Sequence, residues 1–392
     1  MPITRRSEPT LRTHRAIPRP PFERIALVLQ GGGALGAYQA GVYQALAEAR
    51  LHPDWVAGIS IGAINSAIIA GNAPEHRVDR LRAFWERVSE APLGTEVLGL
   101  LPAHGEMARE VLNQMQSMAT LLFGAPDFFA PRTPPPWAWP AGSAEAVSWY
   151  ETAPLRAILE RLTDFDRINE RQMRFSVGAV NVRSGNFVYF DTETTIIRAE
   201  HIMASAALPP GFPAVEIDGE FYWDGGLVSN TPLNWVLETP PRADTLAFQV
   251  DLWSARGELP RDLVEVDLRQ KEIRYSSRTR AMTDEIRKVQ SMRNAMARLL
   301  ATLPPAQRAR PEAAALMQAA CPKLFNIIQL IYRARAYEGD TRDYEFSRPT
   351  MQEHWQAGYN DAVRTLRYPE VLQRHEDGDG VFTFDVEVQG RD

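Results

Sequence analysis

Gly58-Ile59-Ser60-Ile61-Gly62 fits Gly-x-Ser-x-Gly, the spacing of a nucleophile elbow. There a serine sits on a sharp strand-to-helix turn, flanked by glycines because side chains would clash. The helix that follows aims backbone N–H groups and its positive end at charge developing near the serine. A second cluster, Gly31-Gly32-Gly33-Ala34-Leu35-Gly36, has two chemical readings. Consecutive glycines can converge bare N–H donors on a tetrahedral oxyanion, making Gly31, Gly32 and Gly33 candidate oxyanion-hole residues. The run also fits Gly-x-Gly-x-x-Gly, a dinucleotide fingerprint, which asks for an acid at the end of the next strand, about twenty residues on. Asp54 stands before that strand, and the strand ends in the Ser60 turn instead. A P-loop fails because no Gly-Lys-Ser/Thr follows. The structural alternative is close helix–strand packing, to which Gly36 and Gly41 would contribute.

Ser60 needs a base. A Ser–Asp/Glu–His order would draw on His354 or His375, both far along the chain. Asp224-Gly225-Gly226 offers a carboxylate at a strand end, with two glycines that let the backbone turn and another backbone approach. A carboxylate of ordinary pKa, ~3.9, is a poor base, and burial raises it. Asp-Gly-Gly alone is a common turn, so its weight comes from combination with the other two clusters.

These residues need elements to hold them. Ile25–Leu29 is a continuous apolar run, as in a parallel strand buried on both faces. A helical pattern over 34–49 follows, then a strand over 55–59 and a helix over 61–70. Strand–turn–helix twice within about fifty residues is the α/β signature. A helix over 78–88 comes next. Residues 91–150 differ in kind, with prolines punctuating Met, Phe and Trp. A helix capped by Thr152 and strands near 174–182, 186–191, 220–224 and 245–252 follow. Beyond about 265 come a helix with an apolar stripe (Met282, Ile286, Val289, Met296, Leu300) and a strand over 323–332. Thr350-Met351-Gln352-Glu353 reads as a capping box opening a helix, and 381–388 as a half-buried edge strand.

Composition narrows the function classes. The chain has 392 residues, net charge −6, and 45% hydrophobic and 23% charged residues, an ordinary globular balance. The acidic balance argues against a nucleic-acid partner. A single Cys321 forbids a disulfide framework, and the scattered histidines offer no metal-ligand spacing, so no metal or cofactor is expected. No stretch approaches the ~18 to 20 apolar residues of a spanning helix, and the N-terminal stretch lacks the apolar core of a signal peptide. The expectation is a cytoplasmic protein.

Together the three clusters resemble the patatin-like phospholipase family. The family pattern is a glycine-rich oxyanion loop after the first strand, Gly-x-Ser-x-Gly shortly after it, and a distant Asp-Gly-Gly/Ala. Here these stand as Gln30 to Gly36, Gly58 to Ala63, and Asp224-Gly225-Gly226, with Gly36, Gly58, Gly62, Gly225 and Gly226 supporting the turns. Ala204 to Pro213 and Gly62 to Ser66 are also similar to family segments. The resemblance covers roughly residues 23–255. It implies an α/β fold with a central, mostly parallel sheet flanked by helices, and an α+β C-terminal extension. It also implies a Ser60–Asp224 dyad without histidine, working through an acyl-enzyme on acyl esters of lipids. Many members carry Arg or Lys before the last glycine of the loop, where this chain has Leu35.

The expected organisation is a flexible basic tail over 1–22, a catalytic domain over 23–265 and a C-terminal extension over 266–392. The 91–150 insertion would act as a lid, with Phe128 and Phe129 on an acyl-binding cleft. The same dyad would serve an acyltransferase or an intracellular polyester hydrolase. A nucleotide-dependent oxidoreductase and a non-catalytic lipid-binding scaffold are the competing classes. Arg278, Arg280, Arg287, Lys288, Arg293 and Arg298 offer a basic helix for peripheral contact with anionic membrane.

Overall fold

The computed structural model describes residues 13–91, 105–277, 279–375 and 380–385. The strands are β1 (Arg24–Leu29), β2 (Trp55–Gly58), β3 (Ala130–Pro131), β4 (Tyr150–Glu151), β5 (Arg174–Asn181), β6 (Phe187–Asp191), β7 (Val215–Ile217), β8 (Glu220–Asp224), β9 (Thr245–Asp251), β10 (Phe325–Ile331) and β11 (Val381–Asp385). The helices are α1 (Ala37–Glu48), α2 (Ile61–Ala70), α3 (Arg77–Val88), α4 (Glu106–Phe123), α5 (Ala153–Leu162), α6 (Phe165–Asn169), α7 (Ala199–Ser205), α8 (Leu233–Glu238), α9 (Leu263–Tyr275), α10 (Thr279–Thr302), α11 (Pro305–Arg308), α12 (Pro311–Ala319) and α13 (Arg348–Leu366). A single 3-10 turn, Gly33–Gly36, precedes α1.

One sheet runs in the order β11-β10-β9-β1-β2-β5-β8-β7, with β6 on β5. From β11 to β5 every pairing is parallel; β6, β8 and β7 add antiparallel pairs. The fold is therefore α/β, as the alternation of patterns predicts. β1 shows why it reads as unbroken hydrophobe. Ile25, Leu27 and Leu29 enter the core on one face, and Ala26 and Val28 enter the core on the other. β1 and β9 meet where the chain's order across the sheet reverses, and the carboxyl ends of strands at such a point form a crevice.

The C-terminal extension is not a separate body. β10 pairs with β9 from Phe325↔Thr245 to Ile331↔Asp251, and β11 continues the same sheet. α13 lies on α1 so closely that a Cβ on Gly41 would overlap the Trp355 carbonyl, and one on Gly358 would overlap that of Tyr38. Gly41 thus serves a helix–helix crossing rather than helix–strand packing. α13 also starts earlier than the capping box suggests. Ser347 is its N-cap, accepting from the Thr350 N–H, and Pro349 sits in the first turn.

Three further expectations change. The tail is not loose up to residue 22: His14 and Phe22 are buried, and His14 Nε2 lies 3.1 Å from Glu48 Oε2. Residues 1–12 lie outside the described residues. Phe128 and Phe129 do not line a cleft. They are buried in the core against Phe212 and Phe346, because the chain turns inward after α4. Residues 92–104 of the insertion lie outside the described residues. In α10, Ile286 and Leu300 are buried, so the apolar stripe faces protein. Arg287 pairs with Asp284 and Arg293 with Glu238, which removes part of the expected basic face. Arg278 lies outside the described residues. Among the described residues no helix is long and apolar enough to cross a membrane.

Candidate active site

Ser60 sits between β2 and α2 with φ +56° and ψ −125°. A non-glycine residue there costs on the order of 1–3 kcal/mol and persists only when its surroundings hold it. Its N–H donates to the buried Ser205 Oγ at 3.1 Å, and its carbonyl accepts from the Ala63 N–H at 2.9 Å. The flanking glycines have a steric reason. A Cβ on Gly58 would overlap the Gly62 carbonyl, and one on Gly62 would overlap that of Leu29. The pentapeptide pattern is thus the condition for bringing the turn against β1.

The glycine loop lies against this turn. A Cβ on Gly31 would stand 2.9 Å from Ser60 Cβ. The Gly31 carbonyl accepts from Asn230 Nδ2 at 3.0 Å and Trp253 Nε1 at 3.1 Å, and the Gly32 carbonyl from the Leu35 N–H at 3.2 Å. A trans peptide sets each N–H opposite the preceding carbonyl, so these bonds turn the N–H groups of Gly32 and Gly33 the other way. Neither has an acceptor among the described residues. Gly31 differs, since its N–H is directed at the Asn230 carbonyl at 3.4 Å. Of the three expected donors, two are free. Gly33 has φ +56° and meets the Asp343 carbonyl so closely that a Cβ would overlap it. That carbonyl accepts the Ala34 N–H at 2.8 Å, occupying the head of the turn where a dinucleotide's pyrophosphate would lie. Gly36 packs against Ile61 and Trp85.

Asp224 ends β8 and is buried. Oδ1 accepts the Gly226 N–H at 2.7 Å, whereas Oδ2 is buried with no hydrogen bond. Burial pushes the carboxyl up to about 7, against the Ser60 hydroxyl and the Gly226 N–H, which both favour the charged form. Ser60 is thus near enough to bear on the carboxylate, though no hydrogen bond of standard geometry joins the two side chains. Catalytic contacts often tighten only with substrate bound. Gly225 permits the approach, since a Cβ there would stand 2.7 Å from the Gly178 carbonyl. At Gly226 it would stand 3.0 Å from Asn230 Oδ1. His354 pairs instead with buried Glu338, and His375 lies beside Phe382.

The sequence model described as Patatin-like phospholipase matches residues 27–236, more than half of the chain. The chain belongs to this family. A second model, described as Patatin phospholipase, matches residues 273–378. A curated relative, "Lysophospholipase nte1" of Aspergillus terreus, is 47% identical over 60 residues, 15% of this chain and 4% of that protein. The chain thus matches only a small part of that relative's length. Among solved structures, VipD from Legionella pneumophila is similar with a TM-score of 0.38 and 16% identity, over 88% of this chain and 67% of that one.

Where many patatin-like proteins carry a cation in the loop, Leu35 is fully buried in the core, so a charge there would be desolvated. Sequence reasoning missed Ser205, Asn230, Trp253 and Asp343, all of which hold the patatin-like site from a distance in the chain. Ser205 lies inside the Ala204 to Pro213 segment and Asn230 shortly after Gly226, but nothing in their spacing assigns them partners. Among the described residues no group of three or more His, Cys, Asp or Glu could hold a metal ion. A cavity of about 80 Å³ beside Ala119, Phe346 and Pro349 includes neither Ser60 nor Asp224.

Proposed function

We propose that the protein is a lipid acyl hydrolase working through Ser60 and Asp224. Ser60 Oγ attacks the ester carbonyl while Asp224 takes its proton, and the oxyanion receives the N–H groups of Gly32 and Gly33. Collapse of the intermediate breaks the acyl–oxygen bond, with the proton passing from Asp224 to the leaving alcohol. Water then attacks the acyl-enzyme, giving its proton to Asp224, which passes it to Ser60 Oγ as the acyl–serine bond breaks and the acid leaves. Another alcohol in place of water would make the same site an acyltransferase, and a polyester would enter it as a chain of esters.

The observation that carries this reading is the buried Asp224 carboxyl, raised to about 7 beside a strained serine. A base is most effective when its pKa lies near the working pH. Family membership and the relative named a lysophospholipase support lipid esters as substrates.

Contact with a lipid surface belongs to the same reading, and α4 supports it better than α10. Met107, Val111, Met115, Met118 and Leu122 of α4 are exposed, while its buried positions include Asn113, Gln116, Ser117 and Thr120. The helix turns its apolar side outward. Tyr150 Oη, bonded to the Leu121 carbonyl at 2.7 Å, ties it to β4, which follows the exposed Trp149.

The test is labelling with a fluorophosphonate, with the adduct mapped by mass spectrometry. Adduct on Ser60, lost in Ser60→Ala and slowed in Asp224→Asn, is the expected result. A folded wild-type protein that takes no label, or takes it elsewhere, overturns the reading.

A further inference from the structure

The C-terminal region reaches the glycine loop from two sides, one contact made by α9 itself and the other by a segment tied to it. On one side the Tyr275 carbonyl, at the end of α9, accepts from Gln30 Nε2 at 3.1 Å and Asn230 Nδ2 at 2.8 Å. Asn230 Nδ2 also reaches the Gly31 carbonyl, which fixes the Gly31–Gly32 peptide. On the other side the Asp343 carbonyl holds the Ala34 N–H and rests on Gly33. Segment 340–344 is itself tied to α9. Lys271 Nζ donates to the Asp340 carbonyl at 3.1 Å, Asp343 Oδ1 at 3.2 Å and Tyr344 Oη at 3.2 Å. Next to it, Glu272 accepts from Arg342 at 2.8 Å.

We propose that α9 and segment 340–344 form a clamp that sets the oxyanion donors, with Lys271 as its positioning residue. The inference rests on the reading of Ser60 as nucleophile and the glycine loop as oxyanion hole. Its physical basis is the flexibility of what is clamped. Gly32 and Gly33 have no side chains to anchor them, and Gly33 occupies a conformation that glycine leaves easily. The two peptides that carry the free N–H groups are therefore held only through their carbonyls and through the Asp343 contact. Releasing segment 340–344 would let the Gly33 N–H drift. A donor that misses the oxyanion forfeits transition-state stabilisation while leaving ground-state binding intact.

The experiment compares Lys271→Met and Lys271→Arg with Lys323→Met in the full chain. Lys323 makes a comparable ion pair with Glu23 at 2.7 Å, beside the amino ends of β10 and β1 and thus at the opposite end of the sheet from Ser60. Lys271→Met should lower kcat on a soluble short-chain ester by roughly tenfold or more with KM unchanged. It should weaken a trifluoromethyl ketone analogue by a similar factor. Lys271→Arg should recover part of the loss, and Lys323→Met should lose nothing. If Lys271→Met does not fold, Asp343→Asn, which keeps size and two of the three lysine contacts, should show a smaller loss with the same split. A folded variant with wild-type kcat, a loss confined to KM, or an equal loss in Lys323→Met overturns the clamp. Absence of fluorophosphonate label on wild-type Ser60 would instead sink the underlying reading.

Discussion

Asp224→Asn should gain stability relative to the wild type as pH rises. The unfolded chain releases this proton near ~3.9, whereas burial holds the native carboxyl at about 7. Because the folded value is the higher one, the native state binds the proton more tightly. Its contribution is complete below the unfolded value and is lost as pH climbs through the folded one. Asparagine carries no such proton. Any fixed cost of its buried amide is the same at both pH values and cancels in the comparison. With these two pKa values, the advantage of Asp224→Asn over wild type should widen by roughly 2.5 kcal/mol between pH 5 and pH 8. Urea unfolding of both proteins at the two pH values measures it. A second readout checks the same number: wild-type kcat/KM should rise about tenfold per pH unit below 7 and flatten above it. A stability gap that stays constant with pH, with activity persisting undiminished at pH 5, would show that Asp224 titrates as an ordinary carboxylate. The argument from burial would then fail.

Gly41→Ala should cost roughly 3 kcal/mol, because its Cβ meets the Trp355 backbone, which has no rotamer to escape into. Gly105→Ala, at φ +90° with nothing near, should cost only about 1–2 kcal/mol from backbone strain, and thermal melts of the pair separate contact from conformation. Phe129→Ser should lose roughly 3–5 kcal/mol and affect short and long esters alike, as a core residue does. Met118→Ser with Leu122→Ser should keep the melting temperature yet slow turnover on phospholipid vesicles and spare a dissolved short-chain ester. Wild-type rates on vesicles would remove α4 from lipid contact.

The turn at Ser60 was legible because its requirements are local. Gly58 and Gly62 are dictated by carbonyls within a few residues or on the adjacent strand, so the pattern survives in one dimension. β1 was legible for a similar reason, since burial on both faces leaves no polar position to break the run. The supports of the site were not. Asn230 meets Gly31 across 199 positions and Lys271 meets Asp343 across 72, and neither carries a spacing that announces its partner. The apolar run over 323–332 predicts a strand, and β10 is one, but an apolar strand does not state which edge it joins. That is why the sheet's continuation into β10 and β11 went unread. The start of α13 was misplaced because Ser347-Arg348-Pro349 and Thr350 to Glu353 both carry cap chemistry, and only packing decides between them. Phe128 and Phe129 show the converse error. Aromatic side chains between prolines suit a cleft wall and a core equally, and here the outward apolar side belongs to α4.

The sheet order has a consequence for how the chain is made. β1, translated well before β9, pairs on one side with β2 and on the other with β9, which begins at Thr245. β9 in turn needs β10, and the α1 face needs α13, which begins at Arg348. During synthesis β1 therefore presents a bare parallel edge, and α1 an uncovered face, for more than two hundred residues. Parallel pairing across such separations is slow, and exposed edges of this kind invite association with other chains. Truncation at about residue 265 would freeze the nascent state rather than release a smaller folded unit: β9 would stand open as an edge, with Tyr275 and Asp343 missing from the glycine loop. Productive expression should then depend on chaperone supply and translation speed more steeply than activity at the finished site does.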